Sequence, residues 1–346
     1  MRESRLSPPE APLDLLVIGD CNPDVLVLGD DVTPAFGQQE KLVDGISLVI
    51  GGSGSITAVA AARLGLRVAL AAAIGDDPAG RFMLGQLAGE GVGTGAVVVR
   101  EDAPTGMTVA LSEGKDRAIL TALGAMATLT AADVPVSLLT AARHVHVSSY
   151  FLLADSLGPG LAGLLGAARA SGARTSLDTN WDPAERWGGE HLRAALAQTD
   201  LLLPNEAEAL RLSGAAALPQ ALTALTARTA AGPGASGAGS GAGGPGPVIK
   251  LGARGALWAE GSRRYRAEPP PVTPADATGA GDCFNAGVIA GLLGGLDLGG
   301  AVALGCAAGA ASTQAPGGTA GCPDLPTAQA LARGVTVRPA APDEAP

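Results

Sequence analysis

Short runs rich in leucine and β-branched residues alternate with longer stretches of helical periodicity from residue 13 to about residue 333. The apolar runs at 15–18, 68–72, 144–148, 175–177, 201–203 and 248–251 have the length of buried strands. Between them, 55–64, 78–88, 156–170 and 191–197 carry the three-to-four residue spacing of helices. Asp77-Pro78 marks one start sharply, with Asp as N-cap and Pro at the first helical position. Strands separated by helices predict βαβ units: an α/β fold with a mainly parallel central sheet and helices on both faces.

Two regions break the rhythm. Segments 24–50 and 96–120 lack helical periodicity and read as strands and turns, predicting a small separate β-sheet that acts as a lid. Residues 230–247 (AAGPGASGAGSGAGGPGP) have no side chains able to build a core and predict a flexible low-complexity loop inserted before the strand at 248. A domain boundary there would leave a C-terminal piece that begins in mid-pattern, so 13–333 reads as one domain. The stretch 283–315 has Asp297 as its sole charge, but glycines break its apolar runs short of a membrane span. It predicts two helices packed through Gly and Ala faces.

Composition narrows the class. Hydrophobic residues at 47% exclude a disordered chain, and a net charge of −10 offers no basic face for nucleic acid. Cys21, Cys283, Cys306 and Cys322 show no CxxC or metal spacing and read as reduced thiols of a cytoplasmic protein. Residues 1–12 carry charges and three prolines, so no secretory leader is expected.

The strongest chemical signal is Asp276-Ala277-Thr278-Gly279-Ala280-Gly281-Asp282, followed by an apolar helix. Small residues at 279–281 allow a sharp turn and close approach of a ligand, and the helix N-terminus offers N–H groups and a positive dipole end to an anion. A carboxylate beside such an anion hole suits proton abstraction from a hydroxyl. For an isolated Gly-Ala-Gly-Asp, a plain helix cap explains it as well. Gly51-Gly52-Ser53-Gly54-Ser55 is a second glycine turn feeding a helix, and Asn22 and Asp24 follow the first strand where α/β folds bind ligands or form Asx turns. No Walker A pattern exists and G-x-G-x-x-G is missing after the first strand, which disfavours a P-loop enzyme and a Rossmann oxidoreductase. His144 and His146 alternate within one strand with no metal-spaced partners and read as structural.

Together these segments resemble the ribokinase-like (PfkB) carbohydrate kinase family over nearly the whole chain. Gly51–Gly65 with Ile74–Gly80 is similar to its N-terminal signature, and Asp276–Gly287 to its C-terminal one. Asp178-Thr179-Asn180, Asn205-Glu206-Ala207-Glu208 and Lys250-Leu251-Gly252-Ala253-Arg254-Gly255 fall between them in the family's order. The resemblance implies an ATP-dependent kinase acting on a sugar hydroxyl, with Asp282 as general base and Gly279, Ala280, Gly281 and the Asp282 amide as anion hole. It implies that Asn205 and Glu208 organise Mg²⁺ and phosphate and that Lys250, Gly252 and Gly255 lie along the nucleotide. Asn22, Asp24, Gly52 and Ser53 would line the sugar pocket, and Asp276 and Thr278 would hold a monovalent cation such as K⁺. The lid implies a homodimer. Two departures, Ile56 where Asn is frequent and Asp182 where Arg is frequent, touch the acceptor side. A nucleoside or vitamin-type kinase of the same fold, or a non-catalytic sugar-binding regulator, are the alternatives.

Overall fold

The computed structural model describes residues 13–113, 116–229 and 244–340. The strands are β1 Leu13–Ile18, β2 Asn22–Leu28, β3 Gly45–Gly51, β4 Val68–Gly75, β5 Gly93–Arg100, β6 Met107–Glu113, β7 Asp116–Ala122, β8 Ala142–Val147, β9 Arg174–Leu177, β10 Leu201–Leu202, β11 Gly246–Lys250, β12 Ala256–Glu260, β13 Arg263–Glu268 and β14 Thr336–Pro339. The helices are α1 Ser53–Arg63, α2 Pro78–Gly89, α3 Val136–Ala141, α4 Tyr150–Leu153, α5 Gly158–Ala170, α6 Glu190–Leu196, α7 Glu206–Ser213, α8 Leu218–Thr226, α9 Ala280–Leu293, α10 Leu298–Ser312 and α11 Leu325–Ala332.

Ten strands form one sheet in the order β14-β13-β12-β11-β10-β9-β8-β1-β4-β5. It is parallel from β11 to β5 and antiparallel from β11 to β14. β1 lies between β4 and β8, and each of its six residues is buried, as a strand covered on both faces requires. Its alternation divides the core. Leu16 and Ile18 pack in one cluster with Leu161 and Leu165 of α5, while Leu15 and Val17 pack in another with Val59 of α1 and Ile289 of α9.

The apolar stretch at 283–315 forms α9 and α10, as expected. A Cβ added to Gly287 would sit 2.7 Å from the Cα of Gly305, so the two backbones touch where only glycines fit. No described helix is long and apolar enough to cross a membrane.

A second sheet runs β3-β2-β6-β7. Its membership corrects one boundary. Residues 96–100 belong to β5, which pairs in parallel with β4 at the edge of the large sheet. Partly exposed positions gave this edge strand the look of a lid strand. The large sheet also extends past residue 333, because β14 pairs with β13. Of the low-complexity tract, residues 230–243 lie outside the described residues, while Gly246 and Pro247 already belong to β11.

Candidate active site

The C-terminal ends of β1, β9 and β11 meet the N-termini of α1, α7 and α9, the place where open α/β sheets bind ligands. Gly279 is the N-cap of α9 at φ 73°, and a Cβ there would stand 2.6 Å from the carbonyl oxygen of Gly318. The turn therefore demands glycine both for its left-handed backbone and for space. No side chain caps α9. Asp282, the third residue of the helix and 8% exposed, is thus not its cap. The first-turn N–H groups of such a helix lack intrahelical acceptors and face an anion favourably.

Burial holds the Asp282 carboxyl well above the usual carboxylate range, with Asp178 and Asp20 adding to the effect and Lys250 and the Ser53 hydroxyl opposing it. Lys250 Nζ donates to Asp178 Oδ2 at 2.5 Å and to Asn285 Oδ1 at 3.4 Å. Asn285 Nδ2 donates to the same Asp178 oxygen at 2.6 Å. The Asp178 carboxyl, pushed up by burial, is nevertheless held below its ordinary value by Lys250 and Asn285. Lys250, pushed down by burial, ends above its ordinary value because Asp178 and Glu208 face it.

At α7, Asn205 and Glu208 close a capping box. The Asn205 amide and Nδ2 donate to the Glu208 carboxylate at 2.8 and 2.6 Å, and the Glu208 amide donates to Asn205 Oδ1 at 2.9 Å. Burial and then Asp178 raise the Glu208 carboxyl to about 7. The Gly252–Gly255 turn follows Lys250 with left-handed glycines at φ 60° and 89°, and Arg254 within it pairs with Glu206 at the start of α7.

Toward the small sheet, Asp20 accepts from the Ser53 and Gly54 amides at 3.0 and 2.8 Å and so satisfies the N-terminus of α1. Asn180 Nδ2 donates to Ser53 Oγ at 2.7 Å and Ser149 Oγ at 2.8 Å, with Asn180 and Ser149 both in the left-handed region. Asn22 Nδ2 donates to Asp24 Oδ1 at 3.0 Å and Thr108 Oγ1 at 3.1 Å, linking β2 to β6 of the small sheet. A Cβ on Gly52 would stand 2.8 Å from Asn22 Oδ1, which brings these predicted residues together. Asp276 Oδ1 accepts from the Thr278 amide and hydroxyl at 2.9 and 2.7 Å, and Oδ2 from the Gly317 amide at 2.8 Å, so this carboxylate ties two loops together.

The two departures have structural explanations. Ile56 is buried against Gly318, and Asp182 accepts from the amides of Ala184, Arg186 and Trp187, organising its own loop. His144 and His146 both meet Ser176 Oγ at 2.7 Å, and burial lowers them to about 3 and 4, so they are neutral core groups. Among the described residues no cluster of three or more His, Cys, Asp or Glu could hold a metal ion.

The sequence profile of the pfkB family carbohydrate kinases matches residues 13–325. The chain belongs to this family. As a pfkB-family member it is a carbohydrate kinase, and its curated relatives carry such names. It is 32% identical over 294 residues to a 2-dehydro-3-deoxygluconokinase of Bacillus subtilis, covering 82% of this chain and 85% of the relative. It is 28% identical over 313 residues to a ribokinase of Haemophilus influenzae, covering 89% and 95%. Among solved structures, a putative ribokinase II of E. coli in complex with ATP and Mg²⁺ superimposes with a TM-score of 0.78 at 23% identity, over 93% of this chain and 99% of that one. That likeness shows the ribokinase fold.

Relative to the predicted pfkB site, four groups were given no role by the sequence: Asp20, Asp178, Asn180 and Asn285. Asp20 carried a signal, since it stands at the end of β1. Asn285 also carried one, three residues after Asp282 on the same face of α9.

Proposed function

We propose that this kinase transfers the γ-phosphoryl group of ATP to a hydroxyl of a small, uncharged sugar or sugar-like acceptor. The observation that supports this most strongly is a buried carboxylate, Asp282, in the first turn of a helix whose glycine N-cap leaves an anion-binding end. In this reading Asp282 takes the proton of the acceptor hydroxyl as the new oxygen–phosphorus bond forms and the bond to ADP breaks. Gly279, Ala280, Gly281 and the Asp282 amide face the transferred group. Lys250, Gly252 and Gly255 lie on the nucleotide side.

Glu208 and Asn205 offer hard oxygen donors that fit Mg²⁺ held largely through water, since this ion binds by one or two carboxylates together with phosphates. When bound, it neutralises phosphate charge. Asp276 and Thr278 offer oxygens just before the turn that suit a monovalent cation, although in the present geometry the carboxylate serves loop contacts. Asp20, Asp24 and Asp282 are buried carboxyl groups, and none of the acceptor-side residues named carries a positive charge to meet an anionic acceptor.

The small sheet, in this reading, is a lid that excludes water from the transfer. Ile46, Leu48 and Leu120 lie on one face of it and are between 44% and 67% exposed, which supports cover by the same sheet of a second subunit. The test is ATP consumption against a panel of aldoses, ketoses, polyols, nucleosides, sugar acids and sugar phosphates. Turnover with neutral sugars and slow hydrolysis without acceptor are expected; preference for a sugar acid overturns the acceptor reading, and preference for a nucleoside selects the alternative kinase.

Since Asp282 works only when deprotonated, kcat/KM is expected to fall as the pH drops through its raised value. The acid limb therefore lies above the ordinary carboxylate range, which begins near about 4. A pH profile flat down to the ordinary range contradicts the buried-base assignment.

A further inference from the structure

The ion pair beneath the glycine turn joins residues 72 positions apart in sequence, and its cation is 13% exposed while its anion is 1% exposed. A cation so placed is costly to bury, and replacing such a pair by apolar residues is often neutral or stabilising, so stability gives little reason to keep it. Its position gives a better one. A Cβ built on Gly281 would lie 3.4 Å from Lys250 Nζ, so the ammonium stands directly against the backbone of the turn that opens α9. Asp178 and Asn285 fix it there through three hydrogen bonds that share one carboxylate oxygen and one amide. Asn285 itself projects from α9, the helix that carries Asp282.

We propose that Lys250 is the electrostatic partner of the transfer centre: held on Asp178 and Asn285 behind Gly281, its fixed positive charge favours both the ionised form of Asp282 and the negative charge that gathers at the glycine turn. This moves Lys250 from a nucleotide contact to the middle of the reaction and makes Asp178 and Asn285 its positioning residues. It rests on the reading of Asp282 as base. The charged groups that act on Asp282 are Asp178 at the end of β9, Asp20 at the end of β1 and Lys250 on β11, with Ser53 of α1 as a hydroxyl donor. Glu208 of α7 faces Lys250. Of these four groups around the centre, Asp178, Asp20 and Glu208 are carboxyl groups and Lys250 is the cation. Lys250 is the one group among them that can offset the charge brought by a phosphoryl group.

The experiment compares wild type, Lys250→Met, Asp178→Asn and the double variant Asp178→Asn/Lys250→Met. Lys250→Met alone leaves a buried carboxylate unpaired and is expected to lower Tm; the double variant removes both charges and restores it. Turnover should separate from stability. In the double variant kcat stays down by about 10²–10³, the scale of one preorganised charge stabiliser. KM for ATP should change less than about threefold, since a loss confined to the transition state lowers kcat and leaves binding in place. In Lys250→Met alone, where residual activity permits, the acid limb of kcat/KM moves to higher pH, because the base loses its cation while Asp178 keeps its charge. Recovery of kcat together with Tm in the double variant would show the pair to be structural and overturn the proposal. If the double variant is poorly folded, Asp178→Asn alone decides: it keeps the cation but loosens its seat, so a fall in kcat without a rise in KM is expected, and unchanged kcat contradicts the inference. Asp282→Asn measured alongside keeps the two readings apart. An inactive Asp282→Asn with a fully active double variant removes only Lys250, while an active Asp282→Asn removes the base on which both rest.

Discussion

The α9–α10 pair and the four-stranded sheet treat their surfaces in opposite ways. Ten of the fourteen residues of α9 are buried, and glycines at 287 and 305 let its backbone lie directly on that of α10. In the small sheet, β3 shows Ile46 and Leu48 to solvent and β7 shows Leu120 on the same face. A backbone-to-backbone contact has one geometry and resists deformation, which suits the support of an anion hole. An open apolar sheet face has no such constraint until something covers it. In the proposed reading, the phosphoryl side is rigid, whereas the acceptor side closes or pairs.

Three substitutions sharpen the contrast. Gly279→Ala forces a side chain into a left-handed turn and against the Gly318 carbonyl, so it displaces the anion hole. A loss of about 10²–10³ in kcat is expected, comparable to removing an oxyanion donor. Retention of most activity in a steady-state assay would show that this turn is not rigid. Gly287→Ala wedges the two helices apart and is expected to cost about 1–3 kcal/mol, the usual range for overpacking. Thermal melting reads this as a fall of several degrees, and an unchanged Tm contradicts the close contact.

The third substitution tests the other side. Ile46→Ser with Leu120→Ser changes only exposed positions on one face, so monomer stability should move by less than about 0.5 kcal/mol. Light scattering is expected to give twice the 33.8 kDa chain mass for wild type and the single mass for this variant. A wild-type monomer, or a variant that keeps the doubled mass, removes the paired-lid reading.

How much of this was legible in the sequence depends on where each signal lives. β1 and its neighbours were readable because a parallel strand covered on both faces must be apolar throughout. The Gly279–Asp282 turn was readable because its chemistry and its backbone needs sit in one short stretch. β5 was misplaced because an edge strand with half-exposed positions looks like a strand of a small sheet. β13 escaped notice because Arg263–Glu268 is polar on one face and reads as loop by composition. The members of the Asp178–Lys250–Asn285 triad lie in segments the resemblance singles out, but their meeting could not be read, since they stand 72 and 35 residues apart. Only the parallel order of the strands brings Asp178 and Lys250 to one end of the sheet.

The central claim is that Asp282 is the base of a transfer whose nucleotide is held by other residues. Asp282→Asn tests it directly, with turnover and ATP affinity measured on the same preparation. General-base assistance contributes about 10²–10⁴-fold, so turnover should fall by at least the lower bound. ATP affinity should stay within about threefold of wild type, because the substitution removes an interaction made only in the transition state. A variant that keeps more than about a tenth of wild-type turnover, well short of that range, would contradict the account.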